Sequence, residues 1–256
     1  MTYLFRTANS LRTTWPTREY LVCDRYQFIY CPIPKVACSS IKQWLLALDG
    51  LTGEGHALHD IAAARFSLRV HQRPKRALRS YFKFAFVRNP WTRLVSAYIN
   101  KFVVPYPPEL DAVKRVLANV GATPEQGLSF HQFVKYLQRS DLPNENEHWR
   151  PQTLFLPKGL HFLGKFERLL GDFDFVQRRL GTHGPLLHSN KSACSWSCAA
   201  QCATLTSREL RLLGTLPHYP AFYTDELIEV VGKLYADDVR QFQYDTLARW
   251  HTSRQL

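Results

Sequence analysis

The run Tyr81–Val87, YFKFAFV, alternates in the manner of a strand and then changes period within three residues. From Pro90 onward, Trp91, Leu94, Val95, Tyr98, Ile99 and Phe102 recur at the spacing of one helix face, and apolar residues at that period mark an amphipathic helix. Pro90 suits the first helical turn, where a missing N–H loses no intrahelical bond. A strand that feeds a helix through two residues leaves few architectures open. A second junction of the same kind lies upstream: residues 26–31, YQFIYC, read as a buried strand, IPKVACSS follows, and residues 39–48 read as a helix. Residues 160–166 read as a third strand, followed by a helix to about Leu180. Ser129 and Gln132 open a helix over 129–139 in capping-box register,. Thr224 caps a predicted helix over 224–242 with two acids in its first turn,. The Pro-rich piece 103–110 reads as a loop. Strands separated by helices predict an α/β fold with a largely parallel sheet flanked by helices.

A chain of 256 residues with 45% hydrophobic and 13% aromatic content is globular and long enough for a full core,. Its net charge of +12 points to an anionic partner, such as nucleic acid, an acidic membrane, a polyanion or a phosphorylated cofactor,. No run of 18 apolar residues marks a transmembrane helix, and the first 20 residues lack the apolar centre of a signal peptide,. The six cysteines are too scattered for a disulfide framework,. Cys194, Cys198 and Cys202, four apart, are expected on one helix face, with small-residue packing favoured over a metal or disulfide role,.

Both junctions carry the residue types of an anion site. A strand that enters a helix through a short loop presents backbone N–H groups at the positive end of the helix dipole. In the first loop Ala37, Cys38, Ser39 and Ser40 are small enough to let an anion approach, the serines add hydroxyls, and Lys35 adds a charge. The loop has no glycine and its lysine comes first, which sets it apart from the GxxxxGK[ST] pattern of nucleotide-triphosphate loops and disfavours a kinase. At the second junction Arg88 ends the strand and Ser96 lies two turns into the helix, an arginine and a hydroxyl suited to a second phosphate. Arg93 either joins them or lies on the surface. Two such junctions about 50 residues apart imply a ligand with two separated anionic groups.

The forms PKVACSS and FAFVRNPWTRLVSAYINKF resemble the PAPS-dependent sulfotransferases, and within them the membrane-anchored carbohydrate branch that includes chondroitin and dermatan 4-O-sulfotransferases. The resemblance continues in EHWRPQ (147–152), FLGKFERLLGDF (162–173), HSNKS (188–192) and LYADDVRQFQY (234–244). It implies a P-loop-NTPase-like sheet and one sulfotransferase domain over 1–256 with its core at about 26–245. It further implies that 3′-phosphoadenosine 5′-phosphosulfate (PAPS) is the co-substrate. Lys35, Val36, Ala37, Cys38, Ser39, Ser40 and Ile41 would hold its 5′-phosphosulfate, Arg88 and Ser96 its 3′-phosphate, and Lys191, with His188 and Asn190, would close over it. The acceptor would be the hydroxyl of a carbohydrate or glycoconjugate, including anionic ones.

Sulfuryl transfer, treated like phosphoryl transfer, builds charge on the leaving oxygen, which Lys35 would stabilise. No metal is expected, since Lys35 and the loop amides carry the compensation. The acceptor hydroxyl needs a base, for which histidine suits best. His148, with Glu145 and Glu147 nearby, is the first candidate and His71 the second. His56 and His59 occupy the region where some family members place a base, and a glutamate base stays open. His148 has an equally good reading as a structural residue holding its loop against Trp149. Lys165 and Glu167 are expected to form a structural ion pair under the sheet.

The carbohydrate branch has a cytosolic tail, a membrane anchor and a stem in the Golgi lumen, none of which is recognisable here. The expectation is a cytoplasmic, bacterial-type relative, with a Golgi-lumen catalytic domain lacking its anchor as the alternative. Two rival classes remain: a nucleic-acid or polyanion binder using the basic run 71–79, HQRPKRALR, and a non-catalytic binder of sulfotransferase fold,. No nucleic-acid motif is visible, and a charge run is commonly a solvated face.

Overall fold

The computed structural model describes residues 20–67, 77–104, 111–186, 194–196 and 202–245. In chain order the elements are β1 (Leu21–Cys23), β2 (Phe28–Cys31), α1 (Cys38–Leu48), α2 (Gly55–Phe66), β3 (Phe82–Val87), α3 (Pro90–Tyr98), α4 (Asp111–Asn119) and α5 (Phe130–Arg139). They continue with β4 (Phe162–Lys165), α6 (Leu169–Leu180), β5 (Cys194–Trp196), α7 (Ser207–Leu212), β6 (Leu216–Pro217), α8 (Asp225–Leu234) and α9 (Ala236–Phe242). The chain forms two compact units. One takes the described residues up to Val87 and those from Phe155 to 186; the other takes Arg88–Leu154 and the described residues from 194 on.

The first unit is a four-stranded sheet in the order β1-β2-β3-β4. Strands β2, β3 and β4 are parallel, and β1 pairs antiparallel with β2 at the edge. The sequence reading of a largely parallel α/β sheet therefore holds, with β1 an unforeseen antiparallel addition. Alternation assigns the faces. On one face Phe28 stacks on Trp44 of α1 at 5.6 Å between ring centroids, and Trp44 meets Phe173 of α6 edge-on at 5.0 Å. Phe86 lies in the same layer, 6.3 Å from Phe173. On the other face Ile29, Cys31 and Ala85 pack with Tyr20, Leu78 and Tyr81. Phe86 pairs in register with Gly164 of β4, where an added Cβ would stand 2.3 Å from the Phe86 ring. A glycine at that strand position is what lets the ring lie flat against the neighbouring backbone.

The second unit is helical, apart from the short parallel pair β5–β6. Its core joins Trp91, Leu94, Val95 and Tyr98 of α3 to Phe130, Phe133 and Leu137 of α5, with Trp149, Leu227 and Val231. The predicted capping box is present: Ser129 Oγ accepts from Gln132 N at 3.2 Å, and Gln132 Oε1 accepts from Ser129 N at 2.8 Å. Helix α3 runs on into a π-helical turn, Ile99–Val103, which keeps Phe102 in the buried set.

Three expectations change. The single helix over 224–242 is two, because Tyr235 leaves helical geometry at φ −112°, ψ 30°. Its buried hydroxyl donates to Trp149 O at 2.5 Å, so a long-range bond outweighs local periodicity,. Cys194 lies in a strand and Cys202 in a buried non-helical stretch, so the three cysteines do not share a helix; Cys198 lies outside the described residues. Glu167 is exposed, so a pair with Lys165 would lie at the surface rather than under the sheet, and the backbone N–H of Lys165 donates to Asp172 at 2.7 Å.

Candidate active site

The first junction is built on β2. Cys31 and Ile33 are buried, and the chain then turns through Pro34 and Lys35 into α1. Lys35 has φ 68° and Ala37 φ 52°, both left-handed, although neither is glycine. For an L-residue that conformation costs about 1–2 kcal/mol, and strain of this kind collects where a backbone must present its N–H groups in a set direction. Alternation of left- and right-handed residues produces a concave nest of amides that binds anions. Ala37 is also the N-cap of α1, and no side chain caps that helix. The amide of Ile41 bonds to Ala37 O at 3.0 Å, so the amides ahead of the first intrahelical bond are those of Cys38, Ser39 and Ser40,. Val36 and Ile41 are wholly buried, so what they could offer an anion is backbone rather than side chain, and the Ile41 amide is engaged by Ala37 O.

Behind this loop Ser39 Oγ lies 3.3 Å from His59 Nε2, and His59 Nδ1 lies 2.9 Å from Lys42 Nζ. His59 comes from α2 and the other two from α1. Lys42 was not singled out from the sequence, although it lies one turn beyond Ser39 on the same helix.

The second junction, in the other unit, uses side chains rather than amides. Asn89 caps α3, its Oδ1 accepting from Trp91 N at 3.0 Å and Thr92 N at 3.3 Å. Arg88 is 8% exposed. Its Nε donates to Thr92 Oγ1 at 3.1 Å and its guanidinium lies over the Tyr219 ring at 5.4 Å. Ser96, also buried, sits one turn beyond Thr92 on the same helix. Thr92, which sequence reading passed over, donates its own O–H to Asn89 O at 3.0 Å and so serves to hold Arg88. Arg93 is not the surface residue that was one alternative for it. It is 2% exposed and donates to Arg150 O at 2.8 Å and Glu147 O at 3.0 Å, holding the 147–150 segment.

The backbone of Arg88 is held as firmly as its side chain. Gln152 Oε1 accepts from Arg88 N at 2.9 Å, and Gln152 Nε2 donates to Arg88 O at 2.8 Å. Gln152 is in turn fixed by Asp238 of α9, whose carboxylate accepts from Gln152 N at 2.9 Å, Gln152 Nε2 at 3.2 Å and Thr153 N at 2.9 Å. Burial pushes the Asp238 carboxyl above its usual range, against these three N–H groups and Arg93, which favour the charged form,.

His148 lies in the same segment. Asn146 Oδ1 accepts from His148 N at 3.0 Å and from His148 Nδ1 at 2.7 Å. The backbone N–H needs an acceptor, which fixes the amide oxygen at that end. Nδ1 therefore carries the ring proton, and in the neutral ring the lone pair is on Nε2. Glu147 Oε1 stands 4.0 Å from Nδ1, while Glu145 faces away, accepting from Tyr136 Oη at 2.6 Å and Trp149 Nε1 at 3.1 Å. His71, His188, Asn190 and Lys191 lie outside the described residues.

The model of the sulfotransferase family matches residues 18–245. The chain belongs to the sulfotransferase family. Among its relatives, carbohydrate sulfotransferase 14 of mouse and of human is each 39% identical over 171 residues, covering 62% of this chain and 46% of the relative. Carbohydrate sulfotransferase 11 of rat is 33% identical over 198 residues, 66% of this chain and 54% of the relative. The chain spans about half the length of these curated relatives. No solved structure matches. No helix among the described residues is long and apolar enough to cross a membrane.

Proposed function

We propose that this sulfotransferase-family domain moves a sulfuryl group from PAPS to a hydroxyl of a carbohydrate or glycoconjugate, and that residues from about 26 to 245 work as one catalytic domain. The observation that carries this is the glycine-free loop at α1, where two strained left-handed residues, Lys35 and Ala37, lead into an uncapped helix start. Its small side chains and its amides fit the phosphosulfate end of the donor. Arg88 offers a charge-assisted fork and Ser96 a hydroxyl for the 3′-phosphate, while Thr92, whose O–H donates to Asn89 O at 3.0 Å, holds Arg88 Nε. Lys191 is carried as a further binder on the family resemblance.

When bound, the donor supplies an activated sulfuryl group and a leaving oxygen that gathers negative charge. Lys35 Nζ stabilises that charge, and the amides of Cys38, Ser39 and Ser40 hold the anionic end. His148 Nε2 takes the proton of the acceptor hydroxyl, with Asn146 keeping the ring in the required tautomer; His71 is the second candidate. The vertebrate relatives give no support to a cytoplasmic, bacterial-type placement, and the Golgi-lumen alternative is the one carried forward.

The test is transfer of labelled sulfate from PAPS to a panel of neutral and anionic glycans. His148→Ala is expected to lower kcat about 10²–10⁴-fold, the usual contribution of a positioned base, with donor binding unchanged. Transfer to none of the glycans would overturn the acceptor class, and full activity of His148→Ala would remove it as the base.

A further inference from the structure

We infer that Lys42 and His59 are positioning residues that direct the hydroxyl proton of Ser39 toward the anion held by the Lys35–Ser40 loop. The inference rests on the donor reading above. It begins from the order of donors in the chain Lys42, His59, Ser39. The ammonium of Lys42 has only donors. At 2.9 Å from His59 Nδ1 it requires that nitrogen to accept,. A neutral imidazole with an accepting Nδ1 carries its proton on Nε2. Nε2 lies 3.3 Å from Ser39 Oγ, so the ring donates and the hydroxyl oxygen accepts.

The consequence falls on Ser39. With a lone pair of Oγ engaged by His59, its own O–H turns to a different acceptor. Ser39 is the second residue of α1, beside the strained Ala37 and among the amides that precede the first intrahelical bond. A hydroxyl fixed as donor there adds to the amides rather than competing with the anion for their protons. The tautomer is the reverse of that at His148, where Asn146 Oδ1 places the proton on Nδ1. The two histidines are thus set for different tasks: His59 as a donor, and His148 with its lone pair on Nε2. In this arrangement His59 is not the proton acceptor.

The experiment has two arms on the full chain. Long-range proton–nitrogen NMR of the imidazoles, without ligand, reads the tautomer directly. The expected result is Nε2–H for His59, lost in Lys42→Met; an Nδ1–H tautomer overturns the inference. In the second arm, affinity for 3′-phosphoadenosine 5′-phosphate is measured for Ser39→Ala, His59→Leu, His59→Gln and the double variant Ser39→Ala/His59→Leu. A hydrogen bond to a charged group corresponds to about tenfold or more in affinity, so both single losses are expected to weaken binding about tenfold. The double variant is expected to be no weaker than either, and His59→Gln, whose amide N–H can replace Nε2–H, to recover most of the loss. Unchanged binding by His59→Leu, or losses that multiply in the double variant, overturns the inference while leaving the donor reading intact. If the parent chain itself fails to prefer the bisphosphate over AMP, the donor reading fails and this role of Ser39 falls with it.

Discussion

Ala37 shows how much of the site is decided by single residues. Its φ of 52° is easy for glycine and costly for other residues,. Ala37→Gly is therefore expected to leave stability unchanged or slightly raised, whereas Ala37→Val should destabilise by about 1–2 kcal/mol beyond Ala, since β-branching worsens the same clash. Urea unfolding of the two variants checks the order, and a loss in Ala37→Gly as large as in Ala37→Val would remove strain from the account of this loop. Asp238 is the corresponding residue at the second junction. Asp238→Ala strands three N–H groups that carry the Arg88 backbone through Gln152. It is expected to cost at least about 3 kcal/mol, within the range for breaking a buried network. The types of these residues were readable from the sequence. Their partners were not: Arg88 meets Gln152 64 positions away, and Gln152 meets Asp238 86 positions away. No local pattern carries a contact of that span.

At the scale of elements, what could be read was what has a period. The strand over 82–87, the helix from Pro90, the capping box at Ser129 and the helix ending at Leu180 all follow from spacing or caps. Helix α2 was missed because only Leu58, Ala62 and Phe66 of its alanine-rich face are buried, too thin a stripe to stand out. The break at Tyr235 is set by a tertiary bond and had no local signal. Two predictions belong here. Gly164→Ala forces a Cβ against the Phe86 ring between β3 and β4, and overpacking of that kind costs about 1–3 kcal/mol, readable as a lower urea midpoint. The same strand pair is closed by His161, which donates its N–H to Lys83 O and accepts from Lys83 N at Nδ1, each at 2.9 Å. Desolvation first, then the charges of Lys83 and Arg179, hold His161 below the ordinary imidazole range. The unfolded ring thus takes its proton first as pH falls. The stabilisation is whole above about pH 6.5, the unfolded value, and is lost as pH drops through the lower folded value. His161→Gln is expected to show a smaller fall in melting temperature than the parent between pH 7 and 5; equal falls would contradict it.

For the whole molecule, the net charge of +12 narrowed the partners to anions without choosing one. The choice came from two junctions and from the family match over residues 18–245. The parallel sheet was readable because both junctions alternate strand with helix. The division into two compact units was not, since it follows from which contacts form rather than from composition. The central claim is that the chain binds a donor with two anionic groups, Lys35 and its loop serving the phosphosulfate and Arg88 the 3′-phosphate. The most direct measurement is calorimetric binding of 3′-phosphoadenosine 5′-phosphate beside AMP and ATP, repeated with Lys35→Ala and Arg88→Ala. The account predicts micromolar binding of the bisphosphate and weak binding of AMP and ATP. It further predicts that Arg88→Ala abolishes the preference over AMP, while Lys35→Ala weakens the bisphosphate and AMP alike. A bisphosphate bound no better than AMP, or ATP bound best of the three, would contradict it.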